Sequence, residues 1–197
     1  MKKILLVVLL SIASIITQAQ ESFKKGHYYT HEGIKVEGFL RCLDARMSIL
    51  GNVPASIKFK ESLSSYKSKH LKIDQVSSFV IEKDTFATIG AISVSPTWGN
   101  FPKSFAQIYI TGPMNMGVHR SSSTSNVAVS YYTTLILFKD SSAYLAVTNI
   151  KKQKVELLKL FQDVPFVQSK LINMEMQLED LPNLVIEYNT LIAKKDL

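Results

Sequence analysis

The chain of 197 residues has a single cysteine, Cys42, so no internal disulfide can form and no zinc site can be built mainly from thiolates. Arginine is nearly as scarce: Arg41, Arg46 and Arg120 stand against twenty lysines. Without an arginine-rich run, nucleic acid is not expected as a partner. Eight glycines and six prolines exclude collagen-like and Gly/Pro-linker architectures. Beyond the first few residues no apolar run approaches 18 residues, so no spanning helix is expected in the later chain. The sequence also lacks Gly-x-Ser-x-Gly, a phosphate-cradling Gly-x-x-x-x-Gly-Lys, Gly-x-Gly-x-x-Gly, His-Glu-x-x-His and a calcium loop, so no cofactor or metal is expected. What is present is the composition of a globular protein, 46% hydrophobic and 20% charged.

The chain begins with Met1-Lys2-Lys3, a positive stretch, followed by apolar Ile4 to Ile16 and then Thr17-Gln18-Ala19. Thirteen residues of helix reach about 20 Å, short of the roughly 30 Å hydrocarbon core of a bilayer. Residues 1–19 are therefore expected to be a cleaved secretory signal rather than an anchor. Export, leaving the mature chain either soluble or peripherally bound, follows as the expectation. Cleavage removes two lysines and lowers the formal charge from +7 to +5.

Residues 20–148 read as β-rich. His27 to Thr30, then Glu32-Gly33, then Ile34, Val36 and Gly38 alternating with Lys35, Glu37 and Phe39 form a strand, turn and strand. In Ala55 to Lys60, Ile57 and Phe59 face one way and the lysines the other, the alternation of a half-buried strand. Leu63 to His70 is expected to be a connection, Val76 to Ile81 a strand and Thr85 to Ile89 its return. Residues 90–104, with Gly90, Pro96, Gly99 and Pro102 around Trp98, are expected to form an ordered loop. Phe105 to Thr111 is a further strand. Asn115 to Asn126, polar and serine-rich, is expected to be an exposed, mobile loop. Val127 to Phe138 is the longest β-type run, and Leu135 to Phe138 is apolar on both faces, as in a strand covered on both sides. Tyr144 to Val147 is expected to pair with it.

After Thr148 the period becomes helical, marking residues 149–197 as a helical subdomain. Val155, Leu158 and Phe161 form a first helix that Pro165 is expected to stop. Val167, Leu171, Met174 and Leu178 form a second, and Leu181, Leu184, Val185, Tyr188, Leu191 and Ile192 a third, capped by Asp180. Strands followed by helices define an α+β protein: a twisted antiparallel sheet, either a partly closed barrel or a sandwich, followed by three C-terminal helices.

Few residues announce chemistry. His27 and His31 share a strand face if the strand runs that far, but only Glu32 and Glu37 are at hand as further ligands. His70 and His119 stand alone in polar segments. Cys42, beside Arg41 and near Asp44, is either an activated thiol or a small buried group, and burial is the expectation. The acids Glu82, Asp84, Glu175, Glu179 and Asp180 are scattered, and a glycosidase pair among them would have to meet in the fold. Most aromatics of the β part (Tyr28, Tyr29, Phe39, Tyr109, Tyr131, Tyr132) are expected in the core. Trp98 and Phe101 are the candidate ligand-binding residues, either as a recognition surface or as a plug over the sheet.

Two segments carry a resemblance. Lys25-Gly26-His27-Tyr28-Tyr29-Thr30, Gly33, Val36-Glu37-Gly38-Phe39-Leu40 and Ile57-Lys58-Phe59-Lys60 form the first; Phe161 to Asn189, with Pro165 and Tyr188-Asn189, forms the second. Together they resemble small exported proteins of Bacteroidota-type Gram-negative bacteria. Some members carry a cysteine before the proline; Val164 stands here, so the resemblance implies no disulfide. It implies an envelope-facing protein, located in the periplasm or on the outer surface of a Gram-negative bacterium, and transfers no catalytic residue. The leading expectation is a non-catalytic binding or interaction protein whose partner is an envelope protein or glycan. The alternatives are an envelope hydrolase whose site is assembled only in the fold, and peripheral association with anionic membrane or polysaccharide through the lysines.

Overall fold

A computed structural model describes residues 23–48, 51–93, 99–124, 128–140 and 144–195. The expected leader, residues 1–19, lies outside them, as does Trp98. Among the described residues, eleven strands form one large sheet followed by three C-terminal helices, as the α+β reading requires. The sheet does not close into a barrel.

Ten of these strands run β13-β12-β11-β10-β7-β6-β1-β2-β4-β5, every neighbour antiparallel. They are β1 (Lys24–Tyr29), β2 (Lys35–Leu43), β4 (Ser56–Lys60), β5 (Lys69–Leu71), β6 (Ser78–Ile81), β7 (Asp84–Ile89), β10 (Ser104–Ile110), β11 (Asn115–Thr124), β12 (Val129–Phe138) and β13 (Leu145–Val147). Gly33, at φ 82°, makes the β1–β2 turn, a conformation that a residue with a Cβ adopts with strain. The eleventh strand, β3 (Ala45–Met47), leaves β2 after one residue and pairs in parallel with Ser121–Ser123 of β11. That short rung draws the two halves of the sheet toward each other. Residues 90–104 hold a separate two-stranded hairpin, β8 (Ile92–Ser93) with β9 (Asn100–Phe101).

The expectation of a mobile loop over Asn115–Asn126 is overturned as far as Thr124; Ser125 and Asn126 lie outside the described residues. Residues Asn115–Thr124 are β11, ten residues paired along their whole length with β12. Small side chains are what the position needs. A Cβ on Gly117 would lie 2.8 Å from the carbonyl oxygen of Gln107, and Ser121 and Ser122 are buried under β3. A serine-rich stretch reads as a loop by composition, yet here the serines are small because strands crowd them on both sides.

Alternation along β12 explains the two cores. Ile136 joins a cluster inside the curl with Leu40, Ile57, Phe79 and Phe105, whereas Leu137 joins Met114, Met116 and Val147 beneath the helices. The expectation of a strand covered on both faces therefore holds for Leu135 to Phe138, whereas Val129 to Thr133, the first half of β12, is exposed. The helices are α1 (Lys154–Leu160), α2 (Pro165–Asn173) and α3 (Leu181–Lys195). Pro165 does not simply stop α1; it is the first residue of α2, where its missing N–H leaves no hydrogen bond unmade. Helix α3 buries Leu181, Leu184, Val185 and Tyr188. Its Asn189 side chain accepts from the Met114 N–H (2.7 Å) and donates to the Met114 carbonyl (2.9 Å), so a helix side chain imitates a strand partner. The Tyr188 hydroxyl and the Lys139 ammonium both donate to Asp163 at 2.7 and 2.9 Å. Burial alone would raise the Asp163 pKa, but these two donors outweigh it and hold the carboxyl below its ordinary value.

Candidate functional site

Strand pairing sets side chains of neighbouring strands in rows. Arg41 of β2 lies directly opposite Lys58 of β4, and Lys58 directly opposite His70 of β5. Directly opposed residues share a face, so the three side chains form one row across the outer strands. The next residues along, Cys42, Ile57 and Leu71, form the matching row on the opposite face, against the core.

This row forms one wall of an open cleft of about 510 Å³, within the usual size of ligand pockets. Ser122 of β11 and Tyr131 of β12 stand on the other side, and Asp44, Arg46, Val53 and Pro54 connect them. A parallel rung between β3 and β11 brings the walls together, so the cleft exists because the chain leaves β2 at Asp44 and crosses to β11. Tyr131 is 79% exposed, with most of its ring open to solvent. Of the aromatics expected in the core, Tyr28 does pack there against Phe59, but Tyr109, Tyr131 and Tyr132 are exposed.

Behind the cleft a void of about 20 Å³ is bounded by Cys42, Asp44, Gln107 and Arg120 among others, room for about one water. All three arginines of the chain thus gather around Asp44: Arg41 and Arg46 on the cleft side, Arg120 on the inner side. Desolvation raises the Asp44 pKa and the Arg120 guanidinium opposes the rise. Burial first, then the neighbouring Asp44 carboxylate, pushes the Cys42 thiol up to about 12, although Arg120 pulls the other way. Cys42 is therefore protonated at neutral pH and a poor nucleophile, in line with its expected burial.

The remaining sequence candidates fall elsewhere. Phe101, expected either to offer a recognition surface or to plug the sheet, does the second: it is 1% exposed, with its ring centroid 5.3 Å from that of His119. Pairing of Phe101 with Ile92 in the small hairpin turns both side chains into the core, which removes Phe101 from any surface. His119, expected in an exposed loop, is fully buried, with Nε2 2.8 Å from Ser104 Oγ. Burial lowers its pKa to about 4, so the ring is neutral, and its Nδ1 and the nearby strand residue Ser121 Oγ have no hydrogen-bond partner. His27 packs edge-on against Tyr29, and His31 sits in the β1–β2 turn. Among the described residues no group of three His, Cys, Asp or Glu side chains is placed to hold a metal ion. No helix among them is long and apolar enough to cross a membrane.

The cleft itself went unmarked by any sequence motif. Its one available signal was the scarcity of arginine combined with the spacing of Arg41 and Arg46, five apart around Asp44. Comparison with protein-family models, with curated proteins and with solved structures gives no match.

Proposed function

We propose that the protein is an exported binding module of the cell envelope that holds an anionic partner in the cleft between β2–β4–β5 and the β11–β12 arm, without transforming it. The observation that carries this reading is the gathering of Arg41, Arg46 and Lys58 in one concave site, with Arg120 behind it. Three cations against the single carboxylate of Asp44 give the cleft a net positive charge, the sign that favours an anionic partner. Two features favour binding over turnover: the thiol nearest the site is held protonated, and Asp44 is the single carboxylate among the cleft's lining residues. Export rests on the leader reading of residues 1–19 and on the resemblance to envelope proteins.

Retention on a heparin column tests the site. The double substitution Arg46→Glu, Lys58→Glu should elute at clearly lower salt than the unaltered protein, because contacts to a polyanion weaken with ionic strength. Lys194→Glu, Lys195→Glu changes the net charge equally at the far end of α3 and should elute close to the unaltered protein. Equal shifts in the two variants would assign the binding to surface lysines at large and reject the cleft.

A further inference from the structure

The composition of the cleft is odd for a site that holds only a small anion. A phosphate or a lone carboxylate calls for donors alone, yet Asp44 places an acceptor among the cations, with the hydroxyls of Ser56 and Ser122 beside it. The wall opposite the cations carries Tyr131, an aromatic ring 79% exposed and held on a ten-residue strand rather than on a loop. Acceptor, hydroxyls and open ring are what a polyhydroxylated ring ligand uses: its hydroxyls donate to a carboxylate and its C–H face lies on an aromatic ring.

The row of donors adds a length scale. Arg41, Lys58 and His70 occupy three successive strands in direct register, so their backbones repeat at about 4.8 Å and the row spans about 10 Å. Successive units of a linear pyranose chain advance by nearly the same step. A glycan bearing a carboxylate on each ring, laid across the strands, would set the carboxylates of successive rings against Arg41 and Lys58. His70 extends the row with a ring nitrogen for hydrogen bonding. Arg can receive a carboxylate through two parallel N–H···O bonds and Lys as a point charge.

We infer that the cleft is a subsite for an acidic polysaccharide with carboxylated sugar rings, running across β2, β4 and β5 with one ring on Tyr131. This rests on the reading of the cleft as an anion site and adds the class of ligand to it. Within it Lys58 and Arg41 take carboxylates, Asp44 accepts from ring hydroxyls, and Tyr131 supplies the apolar platform.

Titration calorimetry with five probes tests the assignment: a galacturonic acid oligomer, a galactose oligomer of equal length, polyglutamate, inorganic phosphate, and vesicles containing phosphatidylglycerol. The galacturonic acid oligomer should bind more tightly than every other probe. Lys58→Gln should weaken it roughly tenfold, the scale of one charge-assisted hydrogen bond. Tyr131→Ala should weaken it by a similar factor while leaving polyglutamate unchanged. Asp44→Ala is the sharpest arm: it removes the acceptor for ring hydroxyls together with a negative charge, so it should weaken the uronate oligomer yet strengthen phosphate or polyglutamate. If Asp44→Ala strengthens all anions alike, or polyglutamate matches the uronate oligomer, the sugar assignment is overturned and the anion cleft stands. Vesicle binding alone would assign the site to lipid headgroups and likewise overturn it. Failure of every anionic probe to bind would overturn the cleft reading itself. Circular dichroism melts of each variant, expected to match the unaltered protein, separate these outcomes from loss of fold.

Discussion

His119 and Ser104 share one hydrogen bond inside the sheet, while His119 Nδ1 and Ser121 Oγ are buried without a hydrogen-bond partner. A buried imidazole in such a place must stay neutral, which is why burial takes its pKa from the ordinary 6.5 down to about 4. In the unfolded chain the same ring takes up a proton near pH 6.5. Between these two values the unfolded state therefore binds more protons, so stability is complete above about pH 6.5 and falls as the pH drops toward 4. The shift corresponds to about 3 kcal/mol in all, of which roughly 2–3 kcal/mol should be lost by pH 4.5. Urea midpoints at pH 7.5 and 4.5 should show this loss, and His119→Gln, which keeps a polar group for Ser104 without titrating, should shrink the difference by that amount. An equal pH dependence in the two proteins would contradict the assignment. Nothing in the sequence around His119 signals burial, because Gly-Val-His-Arg-Ser-Ser-Ser is polar by composition and the groups packed on the ring, Phe101 and Ser104, come from another part of the chain.

At the scale of elements, what was legible followed from local alternation and period. The β1–β2 hairpin, the β4 strand, the β12–β13 pair and the three helices each carry their pattern within a few residues. Strand β11 did not, because its identity depends on neighbours rather than on its own side chains. The docking of α3 was legible as an apolar stripe, but its attachment was not: Asn189 binds the backbone of Met114 across the β10–β11 turn with both ends of its amide. Asn189→Ala should remove both bonds and leave the Met114 N–H, beside a fully buried side chain, in want of a partner. A destabilisation of about 1–3 kcal/mol is expected in chemical denaturation. Asn189→Asp, which keeps the acceptor and loses the donor, should be no more stable than wild type.

For the whole molecule, the helices form the second half of the core rather than an ornament on the sheet. Leu181, Leu184, Val185 and Tyr188 are each at most 3% exposed and seal the cluster formed by Met114, Met116, Leu137 and Val147. At about 1.5–3 kcal/mol for each large apolar side chain, α3 contributes on the order of a small protein's entire stability. A chain ending at residue 179 should therefore lose its cooperative melt and bind a hydrophobic dye. A truncated protein melting at the same temperature would refute this. The cleft was the least legible feature of all, since its walls come from strands β2, β4 and β5 on one side and β11 and β12 on the other. Periodicity places residues on faces; it does not say which faces come to oppose each other.

The parallel rung between Ala45–Met47 and Ser121–Ser123 carries one more implication, which concerns time. Most of this sheet can zip up between neighbours in sequence, but that rung joins the first third of the chain to its middle. Its residues wait without mates until β11 has taken its place, so the curl is completed by a contact of high sequence separation, the kind that slows folding. The cleft shares that schedule: no fragment ending before Ser121 can possess it, and the protein acquires its binding surface only as its topology is finished.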